Sequence, residues 1–206
     1  MRDGWAAITF GDAVELQRRR IDPRLLPPEQ VLTHYSIPIL DESGLPGREA
    51  AGSIQSHKFR VEADSVLVSL LNPRIPRSWT AAGGADTVCS TEFAVVRPAG
   101  NSILLPFLGV YCSAAPFWRS LQSLVSGTTG SRQRVKPEQL LSLTMLCPPL
   151  DDQRRIADLA ETIDGGIRAA GTCAEAHAVL ETRVVTDWVR TWNGPTATVG
   201  DLGPWV

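Results

Sequence analysis

Short apolar runs alternate with proline- and glycine-rich stretches over the first 150 residues of this 206-residue chain. Apolar runs of this length between turn residues predict β-strands. A longer segment, 106–125, places its apolar residues at helical spacing and stops at Gly127, which predicts a helix. The predicted strands are residues 35–40, 64–71, 90–98 and 140–146. These elements predict one globular domain over residues 1–150.

Two polar loops interrupt this pattern. In the first, residues 72–86, Pro73 and Pro76 exclude a helix. The second, residues 127–137, is rich in Thr, Ser and Arg and leads into the last predicted strand. Because binding residues concentrate on loops that a rigid scaffold presents, these two loops are the first candidates for a binding surface.

The segment from Asp151 to about Trp192 has a different pattern, since its apolar residues recur at the two positions of a coiled-coil heptad. Pro148 and Pro149 end the preceding strand and suggest a hinge between domain and helix. A helix of this length spans about 60 Å, too long to bury its apolar stripe on one domain, so it requires a second helix. The residues predicted to form this helix–helix interface are Ile156, Leu159, Ile163, Ala170, His177, Leu180 and Val184.

The sequence divides into residues 1–150, a long helix over 151–193, and a tail over 194–206. The tail run Thr198-Val199-Gly200-Asp201-Leu202 resembles Thr9-Phe10-Gly11-Asp12-Ala13, and a Trp lies close to each run. This similarity predicts that a second copy of the first domain begins in the tail; a disordered tail is the alternative.

The net charge of −2 argues against binding nucleic acid by bulk charge alone. The charge is uneven: residues 1–150 carry 15 basic and 13 acidic side chains (+2), whereas 151–206 carry 5 and 9 (−4). An anion-binding surface is therefore expected in the first part. The N-terminus has acidic residues where a secretory signal would be apolar, and no apolar run is long enough to span a bilayer, so we expect a cytoplasmic protein without membrane contact.

No catalytic or metal-binding pattern is present. The three histidines, His34, His57 and His177, have no carboxylate or Cys at motif spacing. The four cysteines form no CxxC pair, so we expect reduced, mostly buried thiols rather than a zinc site or a disulfide framework. The loop GTTGSR lacks the lysine and spacing of a phosphate-binding P-loop. We predict no catalysis, no metal and no cofactor for this chain.

The remaining candidates are the cations and hydroxyls of the loops, because Arg forms bidentate bonds to guanine edges and phosphates, and Ser and Thr hydroxyls bind phosphate. The competing interpretation is that these cations are solvated or paired with the 13 acidic side chains of the same region. The predicted DNA-binding residues are Arg19, Lys58, Arg74, Arg77, Thr128, Thr129, Ser131, Arg132, Arg134 and Lys136.

Five motifs in this order resemble the specificity (S) subunit of type I restriction-modification systems. Ala63 stands where the family pattern has a glycine. The motifs are Trp5…Phe10-Gly11-Asp12, the run from Glu62 to Ser69, the run from Ser90 to Pro98, Gly127…Arg134, and Pro148-Pro149-Leu150-Asp151-Asp152-Gln153-Arg154-Arg155-Ile156, which resembles PPL-x-x-Q-x-x-I.

This resemblance implies a target recognition domain of α/β (α+β) type, followed by a long coiled-coil-forming spacer helix. The domain would bind one half of a split double-stranded DNA site. The helix would pack on a second spacer helix, from another half or from a second copy of the chain, and would dock DNA methyltransferase (modification) subunits. S-adenosylmethionine would bind to those partners, and ATP to a restriction or motor subunit.

Two other functions remain open from the sequence. The chain could be the recognition portion of a DNA methyltransferase whose catalytic part lies elsewhere. Alternatively, it could be a dimeric coiled-coil scaffold with no DNA role, in which case the loop arginines would not affect DNA binding.

Overall fold

The structure is a computed structural model that describes residues 4–125 and 133–169. Within these residues the strands and helices form three layers, with a four-stranded sheet in the middle. Its strands are β2 (Val14–Gln17), β7 (Ser65–Ser69), β8 (Ser78–Ala81) and β10 (Phe93–Pro98). They run antiparallel in the order β2-β10-β7-β8.

The middle sheet is buried on both faces, which explains the nearly continuous apolar sequence of its central strands. Val66 and Val68 of β7 face a core formed with helices, whereas Leu67 between them faces a core formed with the second sheet. All five residues of β7 are buried. The predicted buried strand over 64–71 and the predicted strand over 90–98 are both confirmed.

The second sheet has five strands in the order β3-β6-β9-β4-β5, and only β4 and β9 in it are parallel. Tyr35 and Cys89 from this sheet pack against Phe93 and Val95 of the middle sheet. Two short 3₁₀ helices, Pro23–Leu25 and Ala51–Ser53, lie near its outer face. Its strands are β3 (Arg20–Ile21), β4 (Val31–Tyr35), β5 (Gly47–Ala50), β6 (Lys58–Arg60) and β9 (Thr87–Ser90).

Helices α3 (Leu105–Ser113) and α4 (Ala115–Ser123) cover the opposite face of the middle sheet. The sequence predicted one helix over 106–125; the structure divides it at Ala114, whose backbone is extended. Pro116 explains the break, since proline lacks the N–H of a continuing helix but is accepted in the first turn of a new one.

Two other sequence predictions are wrong. The segment 35–40, predicted as a strand, is mostly helical. Strand β4 ends at Tyr35, and helix α2 (Ile37–Ser43) follows, with Ser36 as its N-cap. The segment 72–86, predicted as one long loop, contains strand β8, which forms by pairing with β7.

The N-terminal strand β1 (Ala6–Thr9) pairs with β11 (Thr144–Cys147) in a separate antiparallel ladder. The strand predicted over 140–146 is therefore shorter and later, because helix α5 (Pro137–Leu141) occupies its first part. The short helix α1 (Phe10–Ala13) follows β1, and its first N–H donates to Leu143 O at 2.7 Å. The start of the chain and the segment before the long helix are thus joined.

Helix α6 (Leu150–Ala169) begins directly after the two prolines, as predicted. Its predicted continuation to Trp192 and the tail 194–206 lie outside the described residues, as do Ala170, His177, Leu180 and Val184. Of the described interface candidates, Leu159 is 47% exposed and Ile163 is half-buried. Ile156 packs against the core of the globular part, so its first role is to dock the helix on the domain. No helix in the described ranges could cross a bilayer.

Candidate nucleic-acid interface

The structure brings the two polar loops of the sequence together at one end of the middle sheet. Residues 133–135 pair with the chain that leaves β7: Leu71 and Arg134 form an antiparallel bridge, and Asn72 N–H donates to Gln133 O at 2.8 Å. Val135 N–H donates to Leu70 O at 3.0 Å on the other side. We call the surface formed by residues 72–76, Glu92 and residues 133–136 the loop edge.

Three of the predicted DNA-binding cations lie on the loop edge. Arg74 is exposed and makes no ion pair with another described residue. The Arg134 side chain is 62% exposed and its Nη2 lies 2.7 Å from Glu92 Oε1. Lys136 is exposed just before α5. A DNA phosphate would have to compete with Glu92 for Arg134, whereas Arg74 has no such competitor among the described residues.

The predicted loop residues Thr128, Thr129, Ser131 and Arg132 lie outside the described residues. The described chain on either side of them ends at Val125 and resumes at Gln133. Their part in the site therefore remains a prediction from the sequence.

Arg77 corrects the sequence prediction, since its side chain belongs to the interior and not to the exposed surface of the loop edge. Its side chain is 9% exposed and forms a bidentate pair with Asp41 of α2, Nε to Oδ1 at 2.6 Å and Nη2 to Oδ2 at 2.7 Å. Hydrogen bonds from Arg77 hold the pKa of the Asp41 carboxyl below its usual range. Because its Nε and Nη2 already donate to Asp41, this guanidinium cannot offer the same pair of donors to a phosphate.

Lys58 is likewise buried and does not fit the prediction that it binds DNA. Its Nζ donates to Ser56 Oγ at 2.6 Å, and burial lowers the pKa of its ammonium group. Arg19 is exposed, but it pairs with Glu62 at 3.7 Å. Glu62 precedes the first residue of β7, whereas the loop edge follows its last residue, so Arg19 lies away from the loop edge.

The junction between the domain and α6 contains a residue that sequence reasoning missed. Gln153 is fully buried, and its carboxamide joins three backbone groups. Oε1 accepts from Leu104 N–H at 2.8 Å, while Nε2 donates to Ser102 O at 2.8 Å and Pro148 O at 2.9 Å. The resemblance of this segment to PPL-x-x-Q-x-x-I contained the signal, because that pattern specifies a glutamine at the position of Gln153.

These contacts correct the interpretation of Pro148 and Pro149 as a hinge. Besides the three bonds of Gln153, the Trp5 indole Nε1 donates to Asp152 Oδ2 at 3.2 Å. Asp152 therefore ties the first turn of α6 to the N-terminal strand region, beyond its favourable place at the positive end of the helix dipole. The helix leaves the domain in a fixed direction.

The second sheet holds a titratable cluster that no sequence spacing indicated. The strand registers place His34, Glu49 and Lys58 on one face of the five-stranded sheet, with β9 between the strands of His34 and Lys58. His34 Nδ1 lies 2.6 Å from Glu49 Oε2, and burial lowers the pKa of His34 against the opposing effect of Glu49. His34 is only 6% exposed, whereas the Glu49 side chain is 34% exposed.

The lowered pKa of His34 predicts acid sensitivity. Below pH 6.5, its ordinary value, the unfolded chain binds a proton that the folded chain does not, so the free energy of unfolding falls as pH falls, by at most about 1.4 kcal/mol per pH unit for one proton. His34→Gln should flatten the difference between urea unfolding at pH 7 and at pH 5.5. His57→Gln is the control, since the His57 side chain is 47% exposed. Equal pH dependence in wild type and His34→Gln would contradict this assignment.

The described cysteines, Cys89, Cys112 and Cys147, are buried free thiols, as predicted for them. Burial raises the pKa of each thiol, which disfavours the reactive thiolate. Among the described residues no group of three or more His, Cys, Asp or Glu side chains is arranged to hold a metal ion.

No known family model and no curated protein sequence matches this chain. Solved structures do match it. The crystal structure of the HsdS subunit from Thermoanaerobacter tengcongensis aligns with a TM-score of 0.68 at 20% identity, over 82% of this chain and 44% of that one. A chain from a study of complex assembly and conformational transition of the type I R-M system aligns with a TM-score of 0.67 at 20% identity, over 95% of this chain and 51% of that one.

A third structure, the type I restriction-modification S subunit from M. genitalium, aligns with a TM-score of 0.57 at 13% identity, over 82% of this chain and 41% of that one. The chain has the fold of a type I restriction-modification S subunit, as the motif resemblance predicted. It spans about half the length of the matched chains.

Proposed function

We propose that this chain is a non-catalytic DNA-specificity subunit that binds one half of a split double-stranded DNA site through the loop edge. In this proposal helix α6 serves as the spacer and as a docking site for methyltransferase (modification) subunits. The fold shared with S subunits supports the general role. The DNA contact itself is proposed from the side chains of the loop edge.

The observation that carries the proposal is the pairing of residues 133–135 with 70–72. It brings Arg74, Arg134 and Lys136 from two loops to one end of a rigid sheet. Because the backbone that carries these cations is already ordered, only side-chain freedom is lost when they bind phosphates, which favours a surface that contacts the DNA backbone. Because the net charge of the chain is slightly negative, DNA binding would depend on local groups of cations such as this one.

The exposed side of α6 supports the scaffolding part of the proposal. Leu159 is 47% exposed, about one turn beyond the docked residue Ile156 and about two turns beyond Gln153. An exposed leucine that continues a heptad pattern favours a helical partner. That partner would be a second spacer helix from another half or from a second copy of this chain. The methyltransferase subunits would supply S-adenosylmethionine, and any restriction or motor subunit would use ATP.

DNA binding by the loop edge is tested with the double variant Arg74→Ala/Arg134→Ala. Loss of two phosphate contacts is expected to weaken duplex binding about tenfold and to lower the slope of log affinity against log salt by about 2. Fluorescence anisotropy of a labelled duplex, titrated with the full chain at several salt concentrations, measures both quantities.

Arg24→Ala is the matched control. Its Nη2 lies 2.7 Å from an Asp22 carboxylate oxygen, the same distance as in the Arg134–Glu92 pair, and its side chain is 50% exposed. Unlike Arg134, it lies on a 3₁₀ helix next to the five-stranded sheet. The control should bind DNA like wild type. Equal affinity and salt slope for the double variant and wild type would contradict the proposed surface and favour a scaffold without a DNA role.

The split-site part of the proposal is tested in cells. Methylome sequencing of the host with and without the gene should show a bipartite methylated motif that disappears on deletion. S-adenosylmethionine binding, or DNA methylation, by the purified chain would instead favour the methyltransferase alternative.

A further inference from the structure

Residues 72–77 form a turn that is held at three separate points. Asn72 N–H donates to Gln133 O at 2.8 Å, and Gln122 Nε2 of α4 donates to Pro73 O at 3.1 Å. At the far end, buried Arg77 is clamped by Asp41 of α2. The turn is therefore held by the segment 133–135, by helix α4 on the middle sheet and by helix α2 beside the second sheet.

The backbone of the turn is also constrained internally. Ile75 N–H donates to Asn72 O at 3.0 Å, closing a four-residue turn. Asn72 has a φ of 48°, a left-handed conformation that asparagine accepts better than most residues. Pro73 and Pro76 each fix φ near −65°. Little conformational entropy remains to be lost when the tip of this turn meets a ligand.

The tip presents a cation and an apolar side chain next to each other. Arg74, Ile75 and Pro76 are exposed, whereas Pro73 and Arg77 on either side are buried. Ile75 is 46% exposed, so part of its surface rests on the protein and part faces outward. A single exposed isoleucine is ordinary on a protein surface; its place on a preorganised turn beside Arg74 is what indicates a specific contact.

On the edges of DNA bases one apolar group is available, the 5-methyl group of thymine, and it lies in the major groove. Arg74 would hold the turn on the flanking phosphate while the adjacent Ile75 faces the base edge. Insertion between base pairs would need an apolar side chain that projects as a wedge. Since more than half of Ile75 is covered, the exposed part is a small apolar patch and not a projecting wedge, which suits a methyl contact.

We infer that Ile75 is a specificity-determining residue that contacts a thymine methyl group in the major groove of the half-site. Arg77 is the positioning residue of this contact: it does not touch DNA, and it holds the turn in place through Asp41. This inference rests on the proposed function, since it names one base contact of the same loop edge.

The test begins with selection of duplexes from a random-sequence library by the full wild-type chain. Each thymine of the enriched duplex is then replaced, one at a time, with deoxyuridine, which lacks the methyl group. Wild type should lose about fourfold in affinity at one position, the value of one buried methyl group. Ile75→Ala should bind the parent duplex about fourfold more weakly and should show no further loss at that position.

Arg77→Ala should lose the same methyl discrimination at the same position, even when measured well below its melting temperature. A purely structural role would weaken binding to all duplexes equally and leave the thymine-to-deoxyuridine ratio unchanged. Leu25→Ala is the control for removal of an exposed apolar side chain, since Leu25 is 85% exposed on the 3₁₀ helix near the five-stranded sheet. It should discriminate like wild type.

The outcomes separate the two proposals. If wild type enriches a motif but no thymine responds, or if Ile75→Ala responds like wild type, the inference about Ile75 is wrong and the proposed function stands. If wild type enriches no duplex, the proposed function fails and the inference fails with it. If Arg77→Ala keeps the wild-type ratio of affinities for the thymine and deoxyuridine duplexes while Ile75→Ala loses it, only the role of Arg77 is overturned.

Discussion

Replacing Gln153 with alanine is expected to lower the free energy of unfolding by about 3 kcal/mol, because three backbone groups lose their buried partner at once. Those groups are Leu104 N–H, Ser102 O and Pro148 O. Gln153 is fully buried, so water does not replace the bonds without local opening. Urea unfolding followed by circular dichroism measures the change.

Gln55→Ala is the matched control for this prediction. Gln55 also donates to a backbone carbonyl, Gly52 O at 2.8 Å, but its side chain is exposed and the bond joins residues only three apart in sequence. Its loss should change the stability little. Gln153→Glu adds a second test, since a carboxylate accepts from Leu104 N–H but cannot donate to the two carbonyls. A Gln153→Ala chain as stable as wild type would mean that α6 is not locked to the domain.

The locked first turn also has a consequence for the proposed function. It makes the angle between the globular domain and helix α6 a property of the fold. In the proposed role that angle sets the distance between the half-site and whatever α6 docks. Gln153→Ala should therefore also weaken assembly with modification subunits, which size-exclusion chromatography of the mixed proteins measures.

The second large effect is expected from Arg77→Ala, which should lower the free energy of unfolding by about 2 kcal/mol. Removing one partner of a buried ion pair usually costs more, but the Asp41 side chain is 44% exposed and regains water. The double variant Arg77→Ala/Asp41→Ala should be more stable than the two single effects added together predict. Thermal and urea unfolding of the four proteins measure this coupling.

The Arg24–Asp22 pair is the control, because it has the same bidentate geometry, with Nε at 2.8 Å and Nη2 at 2.7 Å from the carboxylate oxygens. Its arginine is half-exposed, so Arg24→Ala should change stability little. The pKa of Asp41 is lowered by Arg77, so the contribution of the pair is present above pH 3.8, the ordinary carboxyl value, and is lost as pH falls through the folded pKa. Equal unfolding energies for Arg77→Ala and Arg24→Ala would contradict the anchoring role of Arg77.

Elements with a strong local signal were predictable from the sequence. The run 64–71 is mainly apolar because β7 is buried on both faces, and proline and glycine mark the end of β10. Helix α6 begins where Pro148 and Pro149 end the preceding strand. In each case residues adjacent in sequence determine the structure.

Elements that depend on distant partners were predicted less well. The run Tyr35–Leu40 is too short for its periodicity to distinguish a strand from a helix, and the cap at Ser36 decided for a helix. Strand β8 has little apolar pattern of its own and exists because β7 pairs with it, Ser65 with Ala81 through Val68 with Ser78. Such pairing energies do not appear in a local window.

The same division holds for the candidate site. The sequence by itself determined the chemistry: two loops rich in arginine and hydroxyl residues, a double-proline boundary, a heptad-patterned helix, and the motifs that resemble an S subunit. It could not separate Arg74 from Arg77, which are three residues apart and chemically identical.

Only the tertiary structure decided that Arg74 faces outward while Arg77 is buried on Asp41, and that Gln153 locks α6 to the loop before α3. The physical reason is that a buried arginine, with its guanidinium in a bidentate pair with a carboxylate of the fold, cannot reach DNA, whereas an exposed arginine can. That carboxylate lies 36 residues away in sequence, on a helix whose position the packed sheets determine.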